Sequence, residues 1–92
     1  MKEFKGLLRS EIKKAENLAN KITGFSDCKI TGYSLVESNK FGDCWIDCKC
    51  EICRNYEERV DIDIMLVIPM FDRRMSWAYC NIDGEIVKSK LK

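Results

Sequence analysis

The spacing of apolar residues changes once along this chain, from three-and-four to two, and the change falls between Ile22 and Cys28. Before it, Phe4, Leu7, Leu8, Ile12, Ala15, Leu18, Ala19 and Ile22 mark one stripe of a helix, with Lys2, Lys5, Arg9, Lys13, Lys14 and Lys21 largely off it. The spacing predicts a helix over residues 3–22. Its stop is Thr23-Gly24, because glycine accepts the left-handed backbone that ends helices. After the change, strands are predicted over 28–37, 43–53, 58–68, 76–82 and 85–88. The third alternates most regularly (Val60, Ile62, Ile64, Leu66, Ile68) and ends at the only proline, Pro69. Residues 38–42 and 54–57 carry turn chemistry, and Asp83-Gly84 is a two-residue hairpin signal. The lysine-rich tail, 88–92, is expected to fray. Consecutive hairpins give an α+β fold: one N-terminal amphipathic helix packed on an antiparallel β-meander of four to five strands.

A chain of 92 residues supports one domain with one modest core. The longest apolar run, 64–71, is far short of the roughly 20 residues a membrane-spanning helix needs. The charged start is not followed by a secretory-type apolar segment, so a cytoplasmic protein is expected. Histidine is absent. That removes the commonest general base and metal ligand, along with Ser–His and Cys–His nucleophile pairs.

Four of the six cysteines, Cys44, Cys48, Cys50 and Cys53, lie within ten residues. In a cytoplasmic chain, zinc binding or redox chemistry (with Cys28 and Cys80 as further participants) competes with free thiols. A structural zinc site usually gathers its ligands from two short knuckles, and no second knuckle follows here. On a strand, Cys44, Cys48 and Cys50 point the same way as Ile46 and Ile52, the pattern of small buried hydrophobes. Metal-free core thiols and no cofactor are the expectation; zinc on Cys44, Cys48, Cys50 and Cys53 is the alternative.

The formal charge of +1 conceals a segregation. Residues 1–22 hold six Lys/Arg against three Glu, whereas 43–63 hold seven Asp/Glu against three Lys/Arg. The strand face opposite the core is predicted to carry Asp61, Asp63, Met65 and Val67 beside Trp45, Asp47, Lys49 and Glu51, acidic at one end and apolar at the other. Asp61 and Asp63 alone are a weak divalent-cation pair, since nothing else completes an oxygen-ligand set. The segment 69–77 is longer than a tight hairpin needs and holds Phe71, Arg73, Arg74 and, at its end, Trp77. Arginine and aromatic residues are enriched at interface hot spots.

These features point to a non-enzymatic protein-binding module. Its expected contacts are Phe71, Arg73, Arg74 and Trp77 in the loop, and Asp47, Glu51, Asp61 and Asp63 on the acidic face. Small size, segregated charge and no catalytic constellation are the general character of phage and mobile-element inhibitors of host nucleic-acid-processing enzymes, anti-CRISPR proteins among them. No motif places the chain in a family. Besides zinc binding, the alternative is a small nucleic-acid-binding domain using the basic helix face.

Overall fold

The computed structural model describes residues 4–52, 62–82 and 84–91. Among them, helix α1 (Arg9–Thr23) precedes strands β1 (Cys28–Ser38), β2 (Asp43–Ile52), β3 (Ile62–Pro69), β4 (Trp77–Ile82) and β5 (Glu85–Lys90). A single 3-10 turn, Arg73–Met75, sits in the β3–β4 loop. The strands form one antiparallel sheet in chain order, β1-β2-β3-β4-β5, with the helix on one face. This is the α+β meander that the period change predicts. The second turn at 54–57, the start of the third strand at 58, Cys53, Asp61 and Asp83 lie outside the described residues.

The helix starts at Arg9, later than the apolar spacing predicts. Gly6 is the reason. Its φ of +126° is a left-handed value, and a Cβ there would meet Tyr33 Oη at 2.9 Å. The chain turns at this glycine, and Leu7 N–H donates to the same Tyr33 oxygen at 3.1 Å. Phe4 and Leu7 therefore reach the core from an irregular lead-in rather than from a helix. Glu11 Oε1 then accepts the Leu8 N–H at 2.7 Å, satisfying one of the donors left free at a helix start. At the other end Gly24 takes φ +78° and donates to Asn20 O at 2.8 Å, the expected left-handed stop.

Ala15 and Ala19 are fully buried, and their small side chains let the helix lie close on the sheet. Beneath it the core includes Cys44, Ile46 and Cys48 of β2, Ile62, Ile64, Leu66 and Ile68 of β3, and Ala78 and Cys80 of β4. Each fully buried Ile or Leu contributes roughly 1.5–3 kcal/mol. Cys44 and Cys48 are buried and Cys50 half-buried, so the three lie on the helix side as the strand alternation predicts.

The tail is the second departure. Lys88 and Lys90 belong to β5, opposite Tyr79 and Trp77. Leu91 is buried, and its N–H donates to Ser76 O at 2.9 Å. Fraying through residue 91 is thus prevented by the β4–β5 pairing out to Lys90, by the buried Leu91 and by its backbone hydrogen bond to Ser76.

Candidate functional site

The face of the sheet away from the helix carries three transverse rows of side chains. The first runs Glu37, Trp45, Val67, Trp77, Lys90 from β1 to β5. The second runs Ser34, Asp47, Met65, Tyr79, Lys88, and the third Gly32, Lys49, Asp63, Asn81, Ile86. Lys29 and Glu51 pair beyond the third row. Facing residues of an antiparallel pair share a sheet face, so the register alone brings these groups together.

No described element covers this face. The helix, the lead-in and Leu91 all pack on the other side. Trp45, Met65, Val67, Trp77 and Tyr79 are half-buried, shielded by one another and by the lysine stems beside them. Lys88 Nζ lies 4.6 Å from the Trp77 ring centre and 5.5 Å from that of Tyr79, and Lys90 Nζ lies 5.6 Å from Trp77. These are cation–π distances. Charge is divided across the face. The β1–β3 side presents Glu37, Asp47, Glu51 and Asp63 with Lys29 and Lys49; the β4–β5 side presents Lys88 and Lys90 with no described carboxylate.

Of the residues expected to contact a partner, Asp47, Glu51, Asp63 and Trp77 share this face. Asp61 lies outside the described residues. Phe71 stands elsewhere, 68% exposed at the end of the sheet where Phe41 is 69% exposed in the β1–β2 turn. The two loops meet there through Met70 N–H donating to Gly42 O at 3.0 Å. Arg74 is exposed and bridges to Asp72, at 3.0 Å from Nε to Oδ1.

Arg73 is placed differently. Its Nε donates to Glu11 Oε2 at 2.9 Å and its Nη2 to Glu11 Oε1 and to Gly6 O, the latter at 3.0 Å. The guanidinium also lies 5.9 Å from the Phe4 ring centre. Glu11 is buried, so this fork supplies its counter-charge and ties the β3–β4 loop to the helix start. Arg73 is an internal clamp, engaged before any partner arrives.

The sequence carried an unread sign of this clamp. Glu11 falls within the apolar stripe, three residues after Leu8 and four before Ala15, where a carboxylate requires a cation. Tyr79, Lys88, Lys90 and Glu37 were also missed as members of the open face. The β5 pair was recoverable: a two-residue loop at Asp83-Gly84 sets Ile82 opposite Glu85, which places Tyr79 opposite Lys88 and Trp77 opposite Lys90.

On the helix side, burial pushes the Cys48 thiol up to about 12, helped by Asp47, Cys50 and Cys80. Cys50 is pushed up to about 12 by burial and then by Cys28. Cys44 and Cys80 are also raised, chiefly by burial. Protonated thiols are poor nucleophiles and poor metal ligands. Among the described residues no three Cys, Asp or Glu side chains converge as a metal site would require, and Cys53 lies outside them. Among the described residues no helix is long and apolar enough to cross a membrane.

Comparison with protein-family models, curated proteins and solved structures finds no match.

Proposed function

We propose that this chain is a non-enzymatic protein-binding module whose principal contact surface is the open sheet face. One observation carries the reading: Trp45, Met65, Val67, Trp77 and Tyr79 are gathered on a sheet face with carboxylates on one side and lysines on the other. An apolar and aromatic centre with a charged surround is the anatomy of specific protein interfaces. Asp47, Glu51 and Asp63 extend it as a strip suited to basic groups, and competition for the basic groove of a nucleic-acid-processing enzyme is one form such binding takes. Phe71 and Arg74, exposed at the end of the sheet, form a second contact area. Arg73 acts by holding the loop in place.

A single-stranded nucleic acid is the second reading, favoured by Lys88 and Lys90 beside Trp77 and Tyr79. The carboxylates on the same face oppose it, because they repel phosphates.

The test is affinity capture from the native host with the wild-type chain, an Asp47→Lys/Asp63→Lys variant, a Trp77→Ala variant and a Phe71→Ala/Arg74→Ala variant. Melting temperatures are measured alongside. Loss of the captured protein with both open-face variants, while folding is preserved, is the expected result. Retention by both removes the face from the proposal. A gel shift with single-stranded oligonucleotide that weakens steeply with salt would instead favour the second reading.

A further inference from the structure

We infer that the open sheet face is self-complementary and that a second copy of this chain occupies it, giving a face-to-face symmetric dimer. This rests on the reading of that face as a protein-contact surface. The order of residues within its rows makes the face self-complementary. A two-fold axis lying between two stacked sheets and parallel to β3 lays β1 of one copy over β5 of the other and reverses each row. In the first row Glu37 then meets Lys90, Trp45 meets Trp77, and Val67 meets its own counterpart, each contact made twice or on the axis. In the second row Lys88 arrives over Ser34, one strand spacing of ~4.8 Å from Asp47 and within reach of a lysine side chain. Met65 meets Met65. The two β5 lysines are thus answered by Glu37 and Asp47 of a single occupant, each contact made twice, as an isologous interface requires.

The dimensions suit such an interface. Five strands at ~4.8 Å and three rows at ~6.8 Å cover roughly 500 Å² in plan before side-chain relief. Specific interfaces bury about 800 Å² of accessible surface per partner, so this one falls at the small end, where reversible association is expected. Sheets stacked this way sit ~10 Å apart with strands about 30° from parallel, leaving room for interdigitated Trp and Met side chains. One meeting is unfavourable: Asp63 faces Asp63 near the axis, with Lys49 one strand away on each copy.

Sedimentation velocity of the full chain, from about 1 µM to about 500 µM, tests the inference. A reversible monomer–dimer equilibrium is expected. Glu37→Lys alone and Lys90→Glu alone each replace two attractions by two repulsions and should weaken the dimer about tenfold. The combined Glu37→Lys/Lys90→Glu variant restores opposite charges across the interface and should return to within about threefold of wild type. Asp63→Asn should tighten it. A monomer throughout the range overturns the inference, and capture of another protein through Asp47 and Trp77 would still leave the contact-surface reading standing. A dimer indifferent to the single charge reversals, or not rescued by the swap, forms through another surface and equally overturns it.

Discussion

The two faces of this sheet are built from alternate residues of the same strands, yet they share almost no chemistry. Along β3, Ile62, Ile64, Leu66 and Ile68 are buried under the helix, while Asp63 is exposed and Met65 and Val67 are half-buried on the other side. The centre of the helix side is covered by Ala15, Ala19 and the Phe4–Leu7 lead-in. The opposite side keeps its large aromatic residues although no described element covers them. The difference teaches that, among the described residues, one helix covers one face of the meander and leaves the other open. What stands on that open face reflects something other than the core's need for burial.

The widest separation should come from adjacent residues on one strand. Leu66→Ala removes a fully buried side chain and should cost about 3–4 kcal/mol, whereas Met65→Ala should cost about 1 kcal/mol or less at concentrations where the chain is monomeric. Chemical denaturation of both variants checks this. Equal losses would mean that the open face is as enclosed as the core, and the contrast would collapse.

Next in size is the clamp. Arg73→Ala strands the buried Glu11 carboxylate and should cost about 2–3 kcal/mol, less than the 3–5 of a fully buried pair because Arg73 keeps a quarter of its exposure. Arg74→Ala, on the neighbouring residue, should leave the melting temperature unchanged. Double substitution of Glu11→Gln with Arg73→Met should recover part of the loss, which separates a stranded charge from lost packing.

A pH titration sharpens the contrast without mutation. The Cys48 and Cys50 thiols are held up to about 12, above the ordinary value of 9 that they regain on unfolding. Above pH 9 the unfolded chain releases these protons while the folded chain retains them. The stability linked to the thiols is therefore complete below pH 9 and lost as pH rises toward 12. Melting temperature should decline over that window in wild type and decline less in Cys48→Ala, which itself costs about 1–2 kcal/mol at neutral pH. An identical decline in the variant would assign the alkaline loss to other groups.

The smallest expected effect lies on the helix surface. Leu18 is half-buried, so Leu18→Ala should cost about 1–2 kcal/mol, below the range for a fully buried leucine. Lys14→Ala, on the exposed side, should be silent by thermal melting.

Period and turn chemistry made most of this fold legible. The switch from three-and-four spacing to alternation located helix and sheet, and Asn39, Gly42, Pro69 and Gly84 marked strand ends because their backbone requirements are local. The helix start was not legible in the same way. Phe4, Leu7 and Leu8 satisfy helical spacing, and only the approach of Tyr33 to Gly6 shows why the chain turns there. The open sheet face was half legible. Alternation along β2 and β3 placed Asp47, Glu51 and Asp63 together, but joining Tyr79 and Lys88 to them required register across strands. Arg73 illustrates the harder limit. Composition marks an arginine as a hot-spot candidate, and only a partner 62 residues away shows it to be internally engaged.

That separation has a kinetic consequence. Every strand pair here joins neighbours in sequence, so the sheet closes mostly short loops, which form early. The Arg73 clamp closes two long circuits, 62 residues to Glu11 and 67 to Gly6, and can form only once the helix start has met the finished sheet. An interaction absent from the transition state leaves its whole effect in the unfolding rate. Stopped-flow chevrons for Arg73→Ala should show refolding near the wild-type rate and markedly faster unfolding. On this account the clamp sets the lifetime of the native state rather than the speed of reaching it.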